Sequence, residues 1–387
     1  MPAYYFFMTS IPNYLFQILV LVGLCTAFQF RSKILDLYVI ALLSIWSIGV
    51  FVIFYRYGVD QVLFYSNDQA YFKRVIEAIP EFGIQFSLWN LGGGDYPITL
   101  PALLLTKLGF DTVLAVKFLQ LVALLFIYHD GRKILNRFGI TVVGWHLVFF
   151  CGPLFLFMSL LGLRDLVIAY FVMQFFYAQA PTIRILSLIA TFMFRPHLFI
   201  ALIVGWVVGM VWRNRIPRFY YFLISALVVA MYFCGALAYH FGSAIQNDIP
   251  LTTAKEIFSQ TKFSRLAANF LSLQFLTLGD SVKLSFAKLL ATRLIFIDTF
   301  LIPGFFLFTL LRPSKKWSAL RLQVFASFIF FYGIISQTQY NSSRQNIPFL
   351  LVMGLACLIT SPILNKHDES SSAVLKATHN QPTPITL

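Results

Sequence analysis

Charge is what this sequence has least of. Asp, Glu, Lys and Arg together supply 11% of its 387 residues, where an ordinary soluble domain carries about 25%. Apolar residues take their place at 59%, and the mean hydropathy is +0.79. Several apolar runs are long enough to cross a bilayer. That argues against a soluble globular domain and for a chain that crosses a membrane many times as α-helices. Cysteine is scarce too. Cys25, Cys151, Cys234 and Cys357 fall in or beside apolar runs without CxxC spacing, so neither a disulfide framework nor a metal site is expected. The opening MPAYYFFMTS carries no basic group, so no cleavable signal peptide is expected. The glycine run LGGGDYP lacks the strand, the Lys-Ser/Thr and the helix of a phosphate-binding loop. With neither metal ligands nor a nucleotide motif in view, no cofactor is expected.

What is there is a succession of apolar segments, at about 11–30, 34–55, 98–128, 138–162, 165–179, 183–194, 198–212, 219–237, 290–311, 322–336 and 346–362. The third is long, so 98–109 predicts a short re-entrant piece ahead of the crossing proper. The expected fold is all-α: a polytopic transmembrane helix bundle of about 11 membrane segments, some short or re-entrant. A single transmembrane domain covers 1–365. Residues 366–387 are polar and rich in Ser, Thr and Pro, as a disordered cytoplasmic tail would be.

In a soluble protein the net charge of +14 would suggest a nucleic-acid partner. Its distribution supplies a different explanation, and no nucleic acid is expected. Alternate short connections hold Arg31 and Lys33; Arg132, Lys133 and Arg137; Arg184; Arg213, Arg215 and Arg218; and Arg312, Lys315, Lys316 and Arg321. Only Asp36 and Asp130 accompany them. By the positive-inside rule these connections are cytoplasmic. The N-terminus then lies outside and the C-terminus in the cytoplasm, as expected of a multi-pass protein of the cytoplasmic (inner) membrane.

Two larger loops, about 56–97 and 238–290, fall on the outer side, each with an amphipathic helix expected in it. In the first, YSNDQAYFKRVIEAIP opens on a capping box, Ser66 with Gln69, and closes at Pro80. Phe72, Val75, Ile76 and Ile79 make its apolar stripe, and Asp68 projects from that same side. The second contains TTAKE, a further capping box, followed by a basic run that leads to Arg293. That loop suits anionic lipid or substrate phosphate, and lipid headgroups alone account for it equally well.

Three arginines end on the outer side at similar depth. Arg164 stands beside Asp165 where the fourth segment turns into the fifth, at the outer boundary. Arg195 precedes Pro196 and His197 in FMFRPHLF, between two segments too short for comfortable spans. Arg344 lies in the turn QTQYNSSRQN. Snorkelling boundary charges would account for Arg164 and Asp165, and a structural role for His197 weighs as much as that of a base. Arginine binds phosphates through forked, charge-assisted hydrogen bonds, and a carboxylate or histidine can take the proton of an attacking hydroxyl. Together they suit displacement at a sugar C1 with a lipid-linked phosphate as leaving group.

The strings CGPLFLFMSLLGLRD, FRPH and NSSRQNIPFL, with the Asp-then-Tyr helix of the first outer loop, resemble the integral-membrane glycosyltransferases of bacterial envelope assembly. These are the Wzy-type O-antigen or capsule polymerases and their GT-C-like relatives. The resemblance implies a polymerase of repeat units acting on a polyprenyl-linked saccharide donor and acceptor. It implies phosphate contacts by Arg164, Arg195 and Arg344, to which the basic second loop adds Arg293 as a further phosphate-binding candidate, catalysis by Asp68, Asp165 or His197, and partners in a polysaccharide assembly machinery. The first outer loop has no paired acids and the C-terminus no large outer domain, which favours the polymerase over a transferase using polyprenyl-monophosphate sugars. A lipid-linked oligosaccharide flippase or transporter is the competing class, with internal repeats expected for it.

Overall fold

The computed structural model describes residues 3–32, 37–57, 66–82, 96–161, 163–211, 220–247, 298–311, 318–336 and 346–360. Among them every regular element is a helix. In chain order these are α1 (Ala3–Ser32), α2 (Leu37–Tyr57), α3 (Ser66–Phe82), α4 (Tyr96–Lys107) and α5 (Thr112–Arg137). A single 3-10 turn (Gly144–Leu147) then leads to α6 (Val148–Cys151), α7 (Pro153–Ser159), α8 (Asp165–Tyr177), α9 (Pro181–Phe194), α10 (Pro196–Val211) and α11 (Tyr220–Asn247). The last three are α12 (Asp298–Leu310), α13 (Ser318–Ser336) and α14 (Ile347–Thr360). Among the described residues α5 is the one helix long and apolar enough to pass as a membrane span, and nine shorter apolar helical stretches accompany it.

Several boundaries differ from the sequence expectation for local reasons. The run 138–162 is broken into a 3-10 turn and two short helices, because Pro153 has no amide to continue α6 and starts α7 instead. The run 98–128 is two helices. Asp111 caps α5, its Oδ1 accepting from the amides of Val113 (2.9 Å) and Leu114 (3.0 Å). Helix α11 continues to Asn247 and so takes in the first ten residues of the expected second outer loop. The remainder of that loop and the tail lie outside the described residues. In α3 the stripe holds, with Phe72 and Ile76 buried and Arg74 and Glu77 exposed. The helix passes Pro80 by two residues.

Pairs of side-chain bonds set the helix directions. Gln120 and Asp130 of α5 bind Leu166 and Gln174 of α8, so those two helices run parallel. Tyr38 and Trp46 of α2 donate to the carbonyls of Cys151 and Ser159 at 2.8 and 3.0 Å, so α2 runs with the broken α6–α7 segment. At one end of the bundle Arg321, which begins α13, donates to the final carbonyls of α12 (Thr309, 2.6 Å) and α14 (Thr360, 2.8 Å). Glycines allow the closest approaches. A Cβ on Gly205 or Gly209 of α10 would overlap Ser327 or Gln323 of α13, and Gly235 of α11 meets Gly333 of α13 backbone to backbone. The GWVVG spacing is therefore a helix contact.

Candidate functional site

The site is built on a break. Arg195 is the one residue between α9 and α10, and its amide completes the first helix by donating to Thr191 O (2.8 Å). Its carbonyl starts the second, accepting from Leu198 (3.0 Å) and Phe199 (3.2 Å). The extended backbone between these roles, φ −153° and ψ 93°, is what a residue before proline adopts. The break turns the guanidinium into the bundle, where it meets the first residue of α8: Arg195 donates through a terminal guanidinium nitrogen to Asp165 Oδ1 at 2.8 Å. The two side chains are 5% and 1% exposed, so this is a buried ion pair.

The sequence reading places Arg164 and Asp165 at the rim as neighbours. The structure gives Asp165 a partner thirty residues away, Arg195, and fixes where α8 starts beside α5. The amide of Leu166 donates to Gln120 Oε1 at 3.1 Å, and Gln120 is eight residues into α5, about 12 Å along it at 1.5 Å per residue. Asp165 therefore lies beside α5, about 12 Å along from that helix's start.

Two more expected residues join the pair. His197 stacks on Phe331 of α13, ring centroids 5.6 Å apart and planes 17° apart, and lies in the field of both Arg195 and Arg164. Arg164 is half-buried beside Asp165. Phe331 in turn contacts Phe349 at 5.4 Å, which brings the first turn of α14 to the same end. Arg164, Asp165, Arg195 and His197 therefore converge from α8 and the α9–α10 break. Asp68 lies in the first turn of α3, with its side chain outside the described part. Arg344 and Arg293 lie outside the described residues.

Three buried polar groups at this level escape the sequence reading. Gln120 is held by Leu166, Lys117 sits one turn before it and only 4% exposed, and Thr99 is wholly buried on α4. A visible signal was the single lysine in TVLAVKFLQLVALLF, since a lone cation within an apolar run is expensive unless used. Gln120 and Thr99 carry no such mark. Among the described residues no three His, Cys, Asp or Glu side chains gather as a metal would require. Chemically the arrangement offers two guanidinium groups to an anion, one of them braced by a carboxylate, with an imidazole alongside. Comparison with known proteins finds no family model, no curated protein and no solved structure that matches this chain.

Proposed function

We propose that the chain is a multi-pass protein of the cytoplasmic membrane, with about 11 segments, N-terminus outside and C-terminus inside. Its buried Arg–Asp site acts at the outer face on polyprenyl-diphosphate-linked sugars, polymerising repeat units of an envelope polysaccharide. The observation that carries this reading is the buried Arg195–Asp165 pair, with Arg164 and His197 half-buried beside it, in a bundle whose described helices expose many apolar side chains.

The membrane part rests on which side chains face outward. On α9 Ile183, Ile185, Leu186 and Ile189 are exposed while Ser187 and Thr191 are buried, the reverse of a helix packed in water. Leu19 and Leu24 on α1, Ile45 and Ile48 on α2, and Trp206 and Val207 on α10 are likewise exposed. The shared direction of α5 with α8, and of α2 with α6–α7, is the one that the alternation of basic connections requires.

The chemical part rests on cost. A buried ion pair adds little net stability, because desolvation consumes the Coulombic gain. Its retention in an apolar bundle therefore supports a task. Arg164 and Arg195 face the diphosphate, and Asp165 holds the Arg195 fork in place. The acceptor hydroxyl oxygen bonds to the donor sugar C1, and the C1–O bond to the diphosphate breaks with its electron pair left on phosphate. The hydroxyl proton passes to the His197 imidazole, with Asp68 the other candidate base. The arginines stabilise the charge growing on the leaving group. Arg344 and Arg293 are assigned to the lipid phosphate as well.

The test is polymer formation by the full chain in nanodiscs, supplied with undecaprenyl-diphosphate-linked repeat units from its host. Wild type yields a ladder of chain lengths, and Arg195→Lys, which keeps charge but loses the fork, yields single units. Full-length polymer from Arg195→Ala at normal protein levels would end the phosphate-binding role.

A further inference from the structure

Beside the start of α8, α5 and α4 carry a second set of buried polar groups. Gln120 is turned by its bond to Leu166. A backbone N–H can only be met by the amide oxygen, so Oε1 faces α8 and the amino group faces the other way. That amino group is buried and has no hydrogen-bond partner among the described residues. Lys117 lies three residues earlier on the same face of α5, and both side chains lean toward the helix start. Among the described residues no carboxylate ion-pairs with Lys117. The acid acting on it, Asp111, already binds the amides of Val113 and Leu114 and the hydroxyl of Tyr14.

The α4–α5 hairpin adds a hydroxyl. Thr99 stands eight residues before the end of α4 and Gln120 eight residues after the start of α5, so the short connection sets them abreast. Thr99 Oγ1 is buried and also without a partner among the described residues. An ammonium and an amide NH2 offer donors only, so the group that satisfies both supplies acceptors, and an oxyanion also meets the ammonium's charge.

We propose that Lys117 and Gln120, with Thr99 beside them, form a second anion subsite that takes a carboxylate or phosphate oxygen of the lipid-linked substrate. This rests on the function proposed above and deepens it. If the oxyanion belongs to the saccharide, the sugar is acidic, such as a uronic acid, with Thr99 bonding a ring hydroxyl. If it belongs to the lipid, the subsite extends the diphosphate cradle of Arg164 and Arg195.

Three probes separate these sources when binding to the full chain is measured in nanodiscs: undecaprenyl diphosphate, its glucose-linked form and its glucuronate-linked form. Lys117→Met removes the charge at similar length. The expected result is glucuronate-linked lipid held about ten-fold more tightly than glucose-linked lipid by wild type, the scale of one charge-assisted hydrogen bond, and equally by the variant. A ten-fold loss for all three probes assigns the oxyanion to the lipid phosphate. Unchanged affinities in a variant that melts at the wild-type temperature overturn the subsite. Should Lys117→Met not insert, Gln120→Glu keeps the acceptor for Leu166 and adds a negative charge. It weakens the anionic group's binding if the subsite exists and leaves all affinities alone if it does not. Failure of the parent reading looks different: undecaprenyl diphosphate then binds wild type and Arg195→Ala equally.

Discussion

Gln120 gives its side-chain carbonyl to the backbone N–H of Leu166 across 3.1 Å, and this bond lets α8 begin inside the bundle. The first amides of any helix lack partners within it, and away from water something else must satisfy them. Gln120→Leu leaves that donor unmet and should lower stability by about 1–3 kcal/mol. Gln120→Glu retains an acceptor and should lose less. Thermal melts of the two variants in detergent check this, and equal melting temperatures would mean that the bond contributes nothing.

The buried pair of Asp165 and Arg195 should behave as a unit for folding and not for function. Arg195→Met takes the guanidinium partner from a buried carboxylate, a loss of about 3–5 kcal/mol. Adding Asp165→Leu should restore most of it, because the buried carboxylate goes too. Polymer should be absent from both variants. Melting temperature and membrane yield report the first effect, and a polysaccharide gel reports the second. A double variant as unstable as Arg195→Met would show that the pair is not the source of the cost.

Much of this arrangement was legible in the sequence because it follows from backbone chemistry. Pro196 after Arg195 dictates a break, and the break dictates a buried arginine between two short helices. The apolar runs mark the helices to within a few residues at α8, α9 and α14. The partner of Asp165 was not legible. Adjacency suggested Arg164, whereas the structure brings in Arg195 from a different hairpin, and no local pattern encodes a contact over thirty residues. Nor was depth: residue counts measure length along the chain, and only the Gln120–Leu166 bond tells how far α8 is sunk beside α5. The break at Pro153 was readable from composition, yet the apolar run around it masked it.

Helix contacts through glycine make a separate prediction. Gly333 of α13 faces the carbonyl of Tyr232 and the Cα of Gly235 on α11, so a Cβ at Gly333 would overlap backbone that cannot yield. Gly333→Ala should therefore destabilise by about 1–3 kcal/mol through overpacking. A methyl on Gly23 of α1 would meet nothing within 4 Å, and Gly23→Ala should be neutral or slightly stabilising on helix propensity alone. Parallel melts decide it, and a Gly333→Ala protein as stable as wild type would mean that α11 and α13 are spaced more widely.

Leu186 and Ser187 are neighbours on α9 with opposite surroundings: the leucine is 65% exposed and the serine 3%. In water that order costs stability, and charging the outer position would improve solubility at no loss. In lipid the same surface is the correct one, and a cation near the helix centre costs about 2.5–3.5 kcal/mol. Ile189 shares this outward face, 50% exposed, and lies midway between Arg184 and the end of α9, so a side chain there has little reach to the headgroups. Ile189→Lys should therefore reduce membrane-inserted yield and melting temperature, while Ile189→Phe should leave both near wild type. Ser187→Leu tests the inner face. It places a bulky side chain where a small one is buried, and should destabilise although it makes the helix more apolar. A chain that tolerates Ile189→Lys, and stays dispersed without detergent, would contradict a lipid-facing α9 and the membrane reading that rests on it.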